Sequence, residues 1–211
     1  MGATTGRLLH RATGYDLLVW LRTRGREREF RDGLLALARV QPGESVLDVG
    51  CGTGSLAIAA KRRVGANGNV CGIDASPAMI NRATKKARKA GIEVEFQEAV
   101  AEALPFPDAR FDIVLSTLML HHLPRKARQQ CVAEIRRVLK PGGRVLVVDF
   151  APPSKPRRRL LAHFHRHGHT KLEDILALLA ETRLKTIQSG SVGMSDLQFA
   201  LAVRPADGDR P

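Results

Sequence analysis

Aromatic residues are scarce in this chain: one Trp, one Tyr and seven Phe among 211 residues. That leaves little to stack nucleobases and counts against a surface built for single-stranded nucleic acid. Cysteine is equally sparse. Cys51, Cys71 and Cys131 are the three present, and their spacing matches neither a disulfide framework nor a zinc module. A reduced, cytoplasmic setting is the expectation. No apolar run approaches the roughly 20 residues that cross a bilayer. The block Leu17 to Leu21 is too short for a secretory signal, and no small-residue cleavage site follows it.

Acidic residues are also few, 21 against 34 Lys and Arg, for a net charge of +13. The excess gathers in Arg7 to Arg31, Lys85 to Lys89, Arg125 to Arg137 and Lys155 to Arg166. Such a field attracts an acidic small substrate, an anionic membrane surface or nucleic acid. A solvated basic surface with no partner is the plainer alternative.

What remains is 44% apolar and patterned. Residues Thr13 to Arg39 read as helical cover broken at Gly25. Pro42-Gly43-Glu44 then turns the chain into a strand, Ser45 to Val49, and a helix, Thr53 to Val64. Val70 to Asp74 reads as the next strand, and Ser76 is placed to cap a helix that stops at Gly91. Ile92, Val94 and Phe96 alternate with Glu93 and Glu95 as a strand does. Phe111 to Ser116 follows as a buried strand, Arg125 to Lys140 as a helix and Arg144 to Phe150 as a strand. Thr170 to Thr182 predicts a helix, and Leu184 to Ser189 with Leu197 to Val203 an antiparallel hairpin at the sheet edge. Strands alternating with helices imply right-handed crossovers and a mostly parallel, doubly wound sheet of about seven strands with an antiparallel edge member, the α/β class.

The chemistry concentrates in Val46-Leu47-Asp48-Val49-Gly50-Cys51-Gly52-Thr53-Gly54, a strand running into a glycine loop that opens a helix. In an open α/β sheet a ligand sits beyond the carboxyl end of such a strand. The dinucleotide pattern G-x-G-x-x-G begun at Gly50 requires glycine where Ser55 stands, and the Gly-Lys pair of a P-loop is missing. Asp48 at the strand tip repels a pyrophosphate and attracts the ammonium of an amino acid. Asp74, at the tip of the following strand, stands about 20 residues beyond the glycine loop, the spacing of a carboxylate that accepts ribose hydroxyls.

Val46 to Gly54, Gly72 to Ser76, Leu104-Pro105-Phe106, Phe111 to Val114 and Arg137 to Gly143 resemble the successive motifs of class I S-adenosylmethionine-dependent methyltransferases. Within that class the chain is similar to the ubiquinone/menaquinone-biosynthesis type, over about Tyr15 to Phe150. The resemblance implies a Rossmann-like domain with S-adenosylmethionine as methyl donor. It implies that Asp48 and the backbone of Gly50, Cys51 and Gly52 hold the methionine moiety, Asp74 the ribose, and Ala75 with Met79 the adenine face. The position before Ala101-Glu102 is often an Asp that accepts from the adenine amino group; here it is Val100. Ser116 and Thr117 end the strand that floors the donor site, and Tyr15 resembles a tyrosine folded over the donor.

Methyl transfer is an in-line displacement at an activated carbon, so alignment and exclusion of water suffice without metal. A base helps where the acceptor carries a proton, and His121 and His122, just past Thr117, are placed for that role; helix capping is their structural alternative. Cys51 reads as a small residue between glycines, with a reactive thiol as the other reading. His163, His165, His167 and His169 alternate, yet no neighbouring Cys or acid completes a metal site, so a basic lid is expected. Five segments result: a cover at 1–40, the donor-binding core at 41–150, the His-rich lid at 151–169, a completing helix and strand pair at 170–203, and a tail at 204–211. Residues Tyr15 to Arg31 and Pro152 to His169 are expected to roof the acceptor. A small-molecule acceptor is the leading reading, with peripheral contact to anionic membrane open. An RNA acceptor and a catalytically silent binding module are the alternatives. Against RNA, Ser116 to Met119 lacks the Asn/Asp-Pro-Pro-aromatic motif of base-amine methylases.

Overall fold

A computed structural model describes residues 25–152, 170–193, 196–206 and 208. Gly25, where a break in the helical cover is expected, is a turn with φ +78° and opens the described part of the chain. Helix α1 (Glu27–Leu37) follows, and then β1 (Ser45–Val49), α2 (Ser55–Val64), β2 (Asn69–Asp74), α3 (Pro77–Ala90) and β3 (Glu95–Glu98). The second half supplies β4 (Phe111–Thr117), a 3-10 turn (Leu120–His122), α4 (Arg125–Val138), β5 (Leu139–Phe150), α5 (Leu172–Glu181), β6 (Lys185–Ser191) and β7 (Leu197–Val203).

The strands form one seven-stranded sheet in the order β3-β2-β1-β4-β5-β7-β6. Pairing is parallel from β3 through β5, and β7 runs antiparallel to both β5 and β6. The expected antiparallel member is therefore the penultimate strand, and the edge strand β6 again points with the rest. Strand order reverses direction between β1 and β4, which are direct neighbours. Chain connections leave in opposite directions there and open a crevice at the carboxyl ends of the two strands.

Both faces of the sheet's central strands are apolar because helices cover a mostly parallel sheet on each side, while the edge strands β3 and β6 are largely exposed. Alternate residues divide between the two faces. Val46, Ile113, Leu115, Leu146 and Val148 pack under α1 and α2, against Leu34, Leu35, Ala57 and Ala60. Leu47, Val49, Val114, Val145 and Val147 pack under α4 and α5, against Cys131, Ile135, Ile175 and Leu179. Each fully buried aliphatic side chain contributes about 1.5–3 kcal/mol, so these two layers supply the dominant stabilising term.

Several boundaries move from the sequence reading, each for a local reason. The helix expected from Thr53 begins at Ser55, because Gly54 adopts φ +75° and cannot be helical. Ser76 holds the N-cap position of α3, but its hydroxyl makes no capping bond; Pro77 occupies the first turn. The strand expected over Ile92 to Phe96 pairs from Glu95 onward, opposite Cys71. Helix α4 ends at Val138, not Lys140, since Leu139 already pairs with Phe111 and Lys140 forms an ion pair with Asp112 at 2.9 Å. Of the 1–40 cover, residues 1–24 lie outside the described part, as do most of the 151–169 lid and its four histidines.

Candidate functional site at the carboxyl edge of the sheet

Strand β1 carries Asp48 to its tip, where the side chain is buried and Oδ2 has no hydrogen-bond partner. Burial raises the carboxyl from 3.8 to about 7, repulsion from Asp74 adds to the rise, and the backbone N–H of Ala57 opposes it. A buried acid left half-satisfied costs free energy unless a cation completes it.

The glycine loop is folded back over β2. The N–H groups of Gly50 and Cys51 both donate to Ile73 O, at 2.9 and 2.8 Å. The N–H of Gly52 donates to Asp74 Oδ2 and that of Ser76 to Asp74 Oδ1, each at 2.9 Å. Burial raises the Asp74 carboxyl and the Ser76 and Gly52 N–H groups restrain it. Two oxygens with about four acceptor positions leave room for further donors after these two bonds. The glycines are required here: a Cβ on Gly50 would fall 2.4 Å from Met119 Cγ, and one on Gly54 2.5 Å from Phe96 Cζ.

Neighbouring β4 ends with Ser116 and Thr117, whose Oγ and Oγ1 atoms are also buried and without partners. Among the described residues, then, three polar side chains with an unpartnered oxygen sit at the tips of two adjacent strands. A pocket there is lined by Asp48, Gly50, Cys51, Thr117 and Leu118 on the sheet side and by Glu27, Phe30 and Arg31 of α1. Glu27 and Arg31 form an ion pair one helical turn apart. Lys86 of α3 donates to Thr53 Oγ1 at 2.9 Å and Ser55 Oγ at 2.7 Å, adding a cation at the start of α2. The pocket is thus bipolar, with the buried Asp48 on one side, the Glu27–Arg31 ion pair on the α1 side, and Lys86 bonded to its lining residues Thr53 and Ser55.

The other expected residues fall around this centre. Met79 is buried in the first turns of α3, and Ala75 is half-buried beside Asp74. Val100 and Ala101 are half-buried in the loop after β3, which is drawn to Asp74 by the Ala99 N–H on Asp74 O at 3.2 Å. Burial, then Asp48 and Asp74, push the Cys51 thiol well above the usual range, which disfavours a reactive thiolate and favours its reading as a small residue between glycines. Tyr15 lies outside the described residues.

His121 and His122 stand in the 3-10 turn beyond β4, their rings 3.9 Å apart. His121 Nδ1 lies 2.6 Å from Asp149 Oδ1. Sequence reasoning passed over Asp149, although it occupies the same strand-tip position as Asp48 and Asp74; that recurrence was the available signal. Glu27 and Arg31 fall within the Tyr15 to Arg31 stretch expected as a roof but were not singled out as site residues, and Lys86 was missed, since nothing in local spacing places the middle of α3 against the glycine loop. No cluster of His, Cys, Asp or Glu suited to a metal ion occurs among the described residues.

A Rossmann-like α/β domain with a bipolar pocket at its topological switch point is the class this geometry defines. The methyltransferase domain family matches residues 46–143. The chain is 40% identical over 144 residues to a demethylmenaquinone methyltransferase of Thermus thermophilus, covering 68% of this chain and 64% of that protein. It is 37% identical over 145 residues to a ubiquinone/menaquinone biosynthesis C-methyltransferase of Bordetella avium, covering 69% and 56%. The chain spans about three-fifths of the length of these curated relatives. A solved S-adenosylmethionine-dependent methyltransferase of Aquifex aeolicus shares the fold at a TM-score of 0.68 with 22% identity, covering 82% of this chain and 89% of that one. The resemblance to class I methyltransferases of the ubiquinone/menaquinone type, read from the motifs, is confirmed.

Proposed function

We propose that this chain is an S-adenosylmethionine-dependent methyltransferase acting on a small organic acceptor. The single observation that carries this reading is the unpartnered, buried Oδ2 of Asp48 in a pocket whose opposite wall holds Arg31. A zwitterionic amino acid satisfies both: its ammonium completes Asp48 and its carboxylate meets Arg31 and the start of α2, where helix N–H groups and Lys86 add positive potential. Gly50, Cys51 and Gly52 form the backbone cradle, Asp74 accepts the ribose hydroxyls, and Ala75, Met79, Val100 and Ala101 border the adenine. S-adenosylmethionine supplies a methyl carbon already activated by a sulfonium. The protein's own task is then to bind, orient and dry the reacting pair. Ser116 and Thr117 floor the donor, and His121 with His122 borders the acceptor.

The relatives' names bear on the acceptor: demethylmenaquinone in one, ubiquinone and menaquinone biosynthesis in the other. A phenol or hydroquinone ring is therefore the proposed acceptor class, and the net charge of +13 favours an encounter at an anionic membrane surface, where such apolar rings reside. Residues Tyr15 to Arg31 and Pro152 to His169 are proposed to roof that acceptor. The test is calorimetry with S-adenosylhomocysteine and NADH, followed by radiolabelled donor with phenol, hydroquinone, lipid, amine and RNA acceptors. Tight binding of S-adenosylhomocysteine with label on a phenolic or quinol ring is expected. NADH binding in its place overturns the donor assignment.

A further inference from the structure

Strands β4 and β5 end side by side, Thr117 opposite Val148. Just past that pair the Leu118 N–H donates to Val148 O at 2.8 Å while Leu118 takes φ +56°. This reversal swings the chain into the Leu120–His122 turn and lowers His121 onto Asp149, the residue after Val148. Asp149 is wholly buried. Its Oδ2 accepts the backbone N–H of His121 at 2.9 Å, and its Oδ1 accepts the Phe150 N–H at 2.8 Å and faces Nδ1 of the His121 ring at 2.6 Å. The ring is further fixed between Phe150, with centroids 5.2 Å apart, and His122.

A carboxylate that accepts two backbone N–H groups and still meets Nδ1 acts as an acceptor throughout, so Nδ1 carries the proton and the lone pair of the neutral ring is on Nε2. Among the described residues no hydrogen bond engages Nε2, and the side chain keeps 4% of its surface open. The same short loop reaches the donor pocket: Thr117 and Leu118 line it, and Met119 packs on Gly50. The pair therefore follows directly on the residues that line the donor pocket, with one nitrogen tied down and the other, among the described residues, without a hydrogen bond.

We propose that Asp149 is a positioning residue that holds His121 in the tautomer able to take a proton from the methyl acceptor. The proposal rests on the methyltransferase reading above and adds a requirement: the acceptor is a hydroxyl-bearing ring, a phenol or hydroquinone, that must lose a proton. As the acceptor oxygen bonds to the methyl carbon, the carbon–sulfur bond breaks and its electron pair stays on sulfur, discharging the sulfonium. The hydroxyl proton passes to His121 Nε2, and Asp149 stabilises the imidazolium. If a ring carbon takes the methyl, the proton displaced from that carbon restores the hydroxyl. An Asp beside a His base works by orientation as well as charge. Its replacement by Asn reverses the tautomer and costs on the order of 10⁴-fold in the serine-protease triad.

The experiment uses the full chain, with ¹⁵N-histidine labelling and NMR of the imidazole nitrogens in the S-adenosylhomocysteine complex. Wild-type His121 is expected as the Nδ1–H tautomer, with its Nε2 resonance shifting when 4-chlorophenol is added. Asp149→Asn is expected to move the proton to Nε2. The same variant should keep the S-adenosylhomocysteine dissociation constant within about twofold and slow single-turnover methylation of a hydroquinone by ~10³-fold or more. Asp149→Glu should recover part of that loss. An Nε2–H tautomer in the wild type, or no response of Nε2 to the phenol, overturns the proposal. So does an Asp149→Asn enzyme that methylates at the wild-type rate. Should Asp149→Asn fail to fold, His121→Gln leaves Asp149 and its backbone bonds in place, and full activity in that variant is equally fatal. Failure of the wild type to bind S-adenosylhomocysteine at all strikes the donor assignment instead, and calorimetry separates the two cases.

Discussion

Asp74 pushes the carboxyl of Asp48 upward, its negative charge adding to the effect of burial. The shift, from 3.8 to about 7, has a definite sign for stability. Between pH 4 and 7 the folded protein keeps a proton on Asp48 that the unfolded chain has released, so stability falls as pH rises through that window and the cost persists above it. A bound ammonium reverses the preference, because it favours the ionised acid. The affinity for S-adenosylhomocysteine should therefore fall by about tenfold per unit as pH drops below 7 and level off above it. Calorimetry in buffers of different ionisation enthalpy should detect close to one proton released from the protein per ligand bound at pH 6. Asp48→Asn should weaken binding and flatten the pH dependence; a steep dependence surviving in that variant assigns the proton elsewhere.

Asp74→Ala should weaken S-adenosylhomocysteine binding by about 1.5–3 kcal/mol, or roughly ten- to hundredfold, through the loss of charged acceptors for the ribose. The Gly52 and Ser76 N–H groups lose their partner as well, so the glycine loop should show faster hydrogen exchange. Circular dichroism should be unchanged. An unaltered dissociation constant removes Asp74 from the site.

These two acids show what a sequence can and cannot disclose. Asp48 and Asp74 were legible because each closes a short apolar strand, and the chain from one tip to the next follows a spacing set by the βαβ unit. The strands themselves were legible for the same reason, through runs of Val, Ile and Leu between turns. The partnership of His121 with Asp149 was not legible. It depends on the register that places Thr117 opposite Val148 and on the left-handed Leu118, and neither leaves a local signature. Glu27 and Arg31 were legible only as part of a stretch expected to roof the acceptor, since which of its charges border the pocket is decided by tertiary packing.

Gly54 and Gly142 provide a matched pair of substitutions. Both have positive φ, +75° and +76°, but a Cβ on Gly54 meets Phe96 and Ala83 within 2.7 Å, whereas one on Gly142 meets nothing within 4 Å. Gly142→Ala should cost about 1–2 kcal/mol, the conformational term alone. Gly54→Ala adds overpacking and should cost about 2–5 kcal/mol in total. Urea denaturation measures both, and equal losses would show that Phe96 yields without strain.

Arg144 ties the amino ends of the sheet to the chain that follows α1. Its guanidinium meets both Glu44 carboxylate oxygens at 2.9 Å and donates from Nε to Ala38 O at 2.7 Å, in a setting largely shielded from water. Arg144→Met should lower stability by roughly 2–4 kcal/mol by stranding Glu44 and that carbonyl. The pair lies at the opposite edge from the pocket, so S-adenosylhomocysteine affinity at 25 °C should be unaffected. Thermal unfolding with and without the ligand separates the two effects.

The placement of β7 between β5 and β6 has a consequence for biosynthesis. A ribosome delivers β6 before β7, yet among the described strands β6 pairs with β7 alone. During synthesis, therefore, β6 leaves the exit tunnel as a solitary strand with its backbone groups unpaired, and it stays so until residues 197–203 emerge and slot in on both sides at once. A message truncated before Leu197 forfeits two strands rather than one and leaves the long edge of β5 open to pairing with another nascent chain.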